Sequence, residues 1–302
     1  DMGVEGLEMG FGSPECPVFV GMYDYAALAC GATLAGARRL LEGQSDVAFN
    51  PSGGYHHAGP ARASGFCYLN DVVLGCMALA DAGRRVLFLD IDVHHGDGVQ
   101  NAFYHRSDVM TISLHQNGRT LFPGTGFEDE IGEGEGKGYC ANVPLPEGTY
   151  DQAYLRVFRT LVLPLIGAYN PDVIVLEIGM DTLSGDPLAR LSMTNNAPAD
   201  VVGLVMDLGK PVLATGGGGY HPENTARGWA LAWSVLCGED HAEEFATGPG
   251  GVMLETTHTQ GGPRDRVLVT DEQQRAAVEP AIDQTIRRVR ENLFPLHGLP
   301  RK

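Results

Sequence analysis

The run Asp90-Ile91-Asp92-Val93-His94-His95-Gly96-Asp97-Gly98 follows the apolar stretch Val86-Leu87-Phe88-Leu89. Asp90, Asp92 and His94 alternate with Ile91 and Val93. On an extended strand a period of two puts all three polar groups on one face. Two carboxylates and an imidazole at a buried strand end are costly unless they face a cation. A second apolar run, 173–179, leads into Met180-Asp181, and a third, 212–215, into Gly216-Gly217-Gly218-Gly219-Tyr220. Two carboxylates and one imidazole suit a Zn2+ or Fe2+ ion that keeps a position open for a reactant. An Asp-x-Asp pair alone marks a Mg2+ site or a solvated turn just as often. The longer pattern Asp-x-Asp-x-His-His-x-Asp-Gly at a strand end is far more specific.

Other polar groups have suitable chemistry. Gly53-Gly54-Tyr55-His56-His57 follows the short run Val47–Asn50. Adjacent histidines point in different directions on most backbones, so each needs its own partner. The pair reads equally well as two satisfied core histidines or as catalytic groups. The glycines at 216–219 can take positive φ and let the backbone approach a ligand, although the run taken alone reads as a flexible turn.

The elements that must carry these groups alternate along the chain. Short β-branched runs at 47–50, 85–92, 109–115, 173–179 and 211–215 read as buried strands. Helical spacing fills 23–41, 71–82, 150–169, 197–208 and 224–236, and a charged closing helix spans 271–291. Continuous apolar strands alternating with helices imply an α/β fold with a central parallel sheet and helices on both faces. Ligands of such sheets bind beyond the C-terminal strand ends, where the polar runs above lie. The Gly-rich segments 132–138 and 248–262 read as loops. No linker or repeat divides the chain, so residues 1–302 are expected to form a single domain.

Composition narrows the function. Of 302 residues, 43% are hydrophobic and 20% charged, enough apolar material for a core and too little charge for a disordered chain. The net charge of −17 argues against direct nucleic-acid binding and would attract cationic peptides or polyamines, although it also serves solubility alone. The six cysteines include no C-x-x-C pair, which fits a reducing cytoplasm. Apolar runs fall far short of the ~20 residues of a membrane helix, and no signal peptide opens the chain. The chain starts at Asp1 rather than Met, so an N-terminal segment is expected to be missing.

Taken together, the ordered segments resemble the zinc-dependent histone deacetylase family, including its bacterial acetoin-utilisation relatives. The resemblance is carried by Cys16-Pro17-Val18-Phe19, Gly53-Gly54-Tyr55-His56-His57-Ala58, Ala63-Ser64-Gly65-Phe66-Cys67-Tyr68-Leu69-Asn70-Asp71, the run 90–98, Phe122-Pro123-Gly124-Thr125-Gly126, the run 180–186 and the run 216–220. It implies an arginase/deacetylase-like fold, a deacetylase catalytic domain and a narrow acyl-lysine tunnel. The family's opening strand precedes the Cys16 match, so that strand is expected to be absent.

The resemblance also implies roles. Asp92, His94 and Asp181 match the metal ligands. His57 matches the general base for the attacking water, with Asp97 behind it. His56 matches the second histidine, which acts electrostatically or protonates the leaving amine, with Asp90 behind it. Tyr220 matches the hydroxyl that donates to the carbonyl oxygen. Phe66 and Phe122 match the tunnel walls, Gly65 lies in the same substrate-binding segment, and Leu188 matches the rim. Asp90, Ser113 and the carbonyls of Asp92, His94 and Leu114 match an inner site for K+ or Na+. Two departures concern specificity. Glu15 stands where the family has an aspartate that binds the substrate backbone. Pro187 replaces an arginine that nuclear members use near inositol phosphate, which argues against that regulation. The implied activity is hydrolysis of N-ε-acetyl-lysine in proteins or peptides. Small acylated amines such as acetylpolyamines are the alternative substrates. A non-catalytic acyl-lysine binder is disfavoured because the ligands, both histidines and Tyr220 are all present.

Overall fold

The computed structural model describes residues 4–239 and 263–301; Asp1 and the Gly-rich stretch 248–262 read above as a loop lie outside the described residues. Six strands, β1 (Val47–Asn50), β2 (Val86–Asp90), β3 (Val109–Gln116), β4 (Cys140–Leu145), β5 (Val173–Glu177) and β6 (Val212–Thr215), form one sheet in the order β1-β6-β5-β2-β3-β4. Every pairing is parallel. From β2 to β6 every strand residue is buried, as expected where both faces of a sheet are covered.

The two faces bury different residues of the same strands. Val86, Phe88, Val109, Val175 and Leu213 pack under α2 (Met22–Leu41), α3 (Asp71–Asp81) and α4 (Asp97–Phe103). Leu87, Leu89, Met110, Ile112 and Leu176 face a larger core built by α5 (Asp151–Val157), α6 (Leu163–Tyr169), α7 (Asn196–Met206), α8 (Pro222–Leu236) and α9 (Glu272–Leu293). The short helix Val4–Glu8, α1, precedes them all. Caps set two of these starts: Asn70 accepts from Val73 N–H ahead of α3, and Asp271 from Gln274 N–H ahead of α9. The chain winds outward from β2 through β3 to β4, then returns on the other side of β2 to β5 and β6. The winding direction therefore reverses between β2 and β5, and a crevice opens beyond their C-terminal ends.

The structure corrects several expected elements. The strand expected over 85–92 stops at Asp90, because side chains beyond it take over the backbone hydrogen bonds, as detailed below. The single helix expected over 150–169 is split by a wide turn at Phe158–Val162, where Leu163 N–H reaches Phe158 O. Pro164 has no N–H and its ring would crowd the carbonyl four residues back, and the wider turn relieves that conflict. Strand β4 and helix α4 were not expected at all. In β4, Asn142 and Pro144 interrupt the apolar run, and α4 begins inside the polar segment read only for its chemistry.

Candidate metal centre and its histidine pair

Beyond β2 the chain bends twice on its own carboxylates. Asp90 Oδ1 accepts from Asp92 N–H at 3.0 Å, and Asp92 Oδ1 accepts from His94 N–H at 2.8 Å, each an aspartate holding the backbone two residues on. Ile91 N–H donates to Glu177 O at 3.1 Å and Val93 N–H to Asp181 Oδ1 at 3.0 Å. Ile91 and Val93 stay in the core, so the alternation seen in the sequence persists, but not as one strand face. Asp90 turns to His56, whereas Asp92 and His94 meet Asp181 from beyond β5.

His94 Nδ1 lies 3.2 Å from Asp92 Oδ1 and 3.0 Å from Asp181 Oδ2, and all three side chains are buried. One ligand atom from each lies within 4.8 Å of the others. The glycine run is packed against this cluster: Gly218 N–H donates to Asp92 Oδ2 at 2.6 Å. A Cβ at Gly218 would run into the Asp181 and Asp92 carboxylates, and one at Gly217 into the Gly179 backbone and Asp92. Burial pushes the Asp92 carboxyl up, but His94 and His56 outweigh it and hold it well below the usual range. Asp181 is carried up to about 7 by burial and then by Asp92. Burial pulls His94 down, yet its bonds to Asp181 and Asp92 lift it to about 10. Two carboxylates closing on one imidazole nitrogen demand a positive charge between them. A proton on Nδ1 answers that demand, and so does a divalent cation held by one nitrogen and two carboxylate oxygens, a donor set that fits Zn2+ with a position left open.

The histidine pair sits beside this cluster at the end of β1. Its loop is fixed by Asp71, the first residue of α3, which accepts from Gly54 N–H at 3.1 Å, Tyr55 N–H at 2.9 Å and Thr33 Oγ1 at 2.6 Å. Gly54 has φ +98°, and a Cβ there would meet the backbone of Gly216 and Gly217 at 2.6–2.8 Å. Glycine lets the loops after β1 and β6 touch. Each imidazole has its own carboxylate: His56 Nδ1 lies 3.0 Å from Asp90 Oδ2, and His57 Nδ1 2.7 Å from Asp97 Oδ1. The two Nε2 atoms face each other at 3.0 Å. Burial lowers His56, but Glu177 and then Asp90 outweigh it and hold the ring well above its ordinary value. Burial and then His56 lower His57 to about 4, against the pull of Asp97. His95 turns away from the cluster, to Thr125 Oγ1 at 2.8 Å and Gln100 Oε1 at 3.0 Å.

Aromatic rings enclose the approach. Phe66 lies 5.8 Å from the Tyr220 ring at a tilt of 59°, and Phe122 lies 5.0 Å from the His57 ring and 6.4 Å from that of His94. Phe66 and Phe122 are 45% and 38% exposed, so both border solvent. Gly65 lies between these groups, where a Cβ would strike the His57 ring and meet Phe122 Cε1 at 2.9 Å. Tyr220 N–H donates to Asp186 Oδ2 at 2.8 Å, while Asp186 Oδ1 accepts from Leu188 N–H at 2.8 Å. Leu188 is thus tied to Tyr220 through Asp186, with its own side chain exposed. A cavity of about 190 Å3 opens here, lined by Tyr55, His57, Phe66, Cys67, His94 and Tyr220. Glu15, exposed, accepts from Gly65 N–H at 3.4 Å. Ser113 pairs with Asp90 across β2 and β3, and its Oγ meets His115 Nδ1 at 2.8 Å; Leu114 is the next, buried residue of β3.

Sequence reasoning missed Glu177, and it met Asp71, Cys67 and Asp186 inside the runs that carry the resemblance, giving Asp71 and Asp186 no role of their own. Glu177 had a signal: an acid closing the otherwise apolar run Val-Ile-Val-Leu-Glu. Asp71 and Asp186 gave none, since the N–H groups of Gly54, Tyr55 and Tyr220 that they hold lie 16 to 34 positions away.

Residues 3–236 match the family model described as histone deacetylase domain. Histone deacetylase 8 of Xenopus laevis is 44% identical over 241 residues, covering 80% of this chain and 74% of that protein. Histone deacetylase 9 of Arabidopsis thaliana is 46% identical over 222 residues, covering 74% of this chain and 52% of its own. Histone deacetylase B of Dictyostelium discoideum is 47% identical over 221 residues, covering 73% and 52%. The chain spans about half to three quarters of the length of these relatives.

Proposed function

The chain belongs to the histone deacetylase family of hydrolases, and on that premise we propose that it cleaves the acetyl-amide of N-ε-acetyl-lysine in proteins or peptides. The observation that carries this reading is the convergence of Asp92, His94 and Asp181 beside two imidazoles, each backed by its own carboxylate.

Asp92, His94 and Asp181 would hold Zn2+, or Fe2+ in its place. Such an ion polarises the acyl carbonyl and makes an attacking water more acidic. The protein's own groups do the rest. His57, with Nδ1–H donated to Asp97, presents a neutral Nε2 and takes the proton of the attacking water. His56, gripped at Nδ1, keeps a proton on Nε2 and gives it to the departing amine. Opposite displacement of two neighbouring imidazoles is what an acid–base pair requires. Burial, with Asp181 and Asp92, pushes the Tyr220 hydroxyl up, so it stays a donor aimed at the carbonyl oxygen as charge develops there. Phe66 and Phe122 flank an uncharged acyl-lysine stem and would strip a charged lysine of solvent, which favours product release. Gly65 leaves room for that stem, Glu15 binds the substrate backbone and Leu188 forms the rim. Asp90, Ser113 and the carbonyls of Asp92, His94 and Leu114 would hold a K+ or Na+ ion.

Six free cysteines fit a reducing, cytoplasmic setting, and none of the described helices is long and apolar enough to cross a membrane. The net charge of −17 favours basic partners over nucleic acid. The same charge, with Glu15 exposed beside Gly65, favours a second reading in which small acylated amines such as acetylpolyamines are the substrates. Turnover of an acetyl-lysine peptide and of an acetylpolyamine, after chelation and again with Zn2+ restored, tests both readings. Loss on chelation and recovery with zinc is expected, with the peptide preferred. Preference for the polyamine moves the substrate class, and turnover of neither overturns the activity.

A further inference from the structure

Glu177 ends β5 inside the sheet, in register with Asp90 of β2, and is fully buried. Its carbonyl is used, accepting from Ile91 N–H at 3.1 Å. Its carboxylate is not: neither oxygen has a well-formed hydrogen bond among the described residues. A buried acceptor left unpaired costs about 1–3 kcal/mol, more when charged, so packing of the strand gives no reason for an acid here. Position does. Glu177 Oε1 lies 3.0 Å from His56 Nδ1, the nitrogen that Asp90 Oδ2 meets at 3.0 Å from the adjacent strand. The charged groups around Glu177 are His56 from the loop after β1, Asp90 and Asp92 at and beyond the end of β2, and Asp71 from α3. His56 is the one among them that can carry a positive charge.

We propose that Glu177 is a positioning residue for the hydrolysis, setting a second negative charge against the His56 Nδ1 edge beside the Asp90 hydrogen bond so that the ring is fixed with Nε2 toward His57. The inference rests on reading this cluster as a deacetylase centre. An imidazole held by one carboxylate can tilt about that bond. A second negative charge on a neighbouring, fully buried strand restrains that freedom, because β2 and β5 cannot shift relative to each other without breaking their ladder. Misplacement of a reacting group by a fraction of an ångström costs rate without weakening substrate binding.

Zinc-loaded Glu177→Gln, equal in shape but neutral, tests this beside the unaltered protein. The expected result is an unchanged zinc content and melting temperature, a KM for the acetyl-lysine peptide within about twofold, and a kcat lower by about tenfold or more. In protein labelled with 15N at histidine, the His56 ring signals should shift or broaden while those of His115 stay. Unchanged kcat with unchanged His56 signals would overturn the proposal. So would a fall in kcat matched by loss of fold or zinc, which marks a structural role, or loss of a second metal equivalent, which makes Glu177 a cation ligand. If the unaltered protein does not turn the peptide over, the deacetylase reading fails and the His56 signals still decide the placement of its ring. Should Glu177→Gln not fold, Glu177→Met gives the same comparison.

Discussion

Burial keeps the proton on the Tyr220 phenol and off the His57 imidazole, because both neutral forms escape the cost of a charge in a dry site. The two residues therefore enter any reaction in complementary states, one a donor and the other an acceptor. Tyr220→Phe removes the donor without touching the cluster of Asp92, His94 and Asp181. It should lower kcat by roughly 10²–10³ while zinc content, read by metal analysis, is unchanged. The pH dependence of His57 has a definite sign. Its folded value of about 4 lies below the ordinary 6.5, so the neutral base persists as the pH falls through 6.5 and is lost only near 4. The His57 contribution to the acid limb of kcat/KM should lie well below pH 6.5, near 4. An acid limb centred at 6.5 would mean that the buried pair does not act as argued.

At the scale of elements, the loop after β1 and the N-terminus of α3 form one unit through Asp71. Its carboxylate holds Gly54 N–H, Tyr55 N–H and the Thr33 hydroxyl at once. Asp71→Ala leaves these donors buried and unpaired, at a cost of roughly 1–3 kcal/mol in urea unfolding. Turnover should fall further than stability alone explains, since His56 and His57 ride on that loop. The loop after β6 is set by crowding instead. Gly218→Ala places a methyl against the Asp181 and Asp92 carboxylates. Zinc affinity, measured by competition with a chelator, should fall by an order of magnitude or more while unfolding changes little.

Across the whole molecule, charge and burial govern the response to solution conditions. A net charge of −17 draws a basic acetylated peptide toward the protein. Raising salt toward 1 M shortens the screening length from about 10 Å to about 3 Å. The KM of a lysine-rich substrate should then rise, while that of a neutral one stays level. Acid acts through the interior. Burial holds His115 well below its ordinary value and His95 at about 4. Below 6.5 the unfolded chain binds protons that these folded imidazoles refuse, so acid favours unfolding. Stability should fall by about 1.4 kcal/mol per pH unit for each such histidine between pH 6.5 and 4, measured as a shift of the urea midpoint.

The sequence by itself determined the class of fold and where to look within it. Buried parallel strands must be short, apolar and bounded by polar turns, so β1, β2, β3, β5 and β6 were readable, whereas β4 hid behind Asn142 and Pro144. It also located the strand ends that bear Asp92, His94, Asp181, His56, His57 and Tyr220, because carboxylates and imidazoles after apolar runs stand out from a core. Only the tertiary structure decided which of those ends are neighbours. The order β1-β6-β5-β2 comes from crossovers packing on a twisted sheet, and nothing local to any strand encodes it. That order sets Asp181 against Asp92 and His94, and Gly54 against the Gly216–Gly217 backbone. It also sets Glu177 against His56, a contact between residues over a hundred positions apart in the chain, drawn together because β5 pairs with β2 rather than with β4.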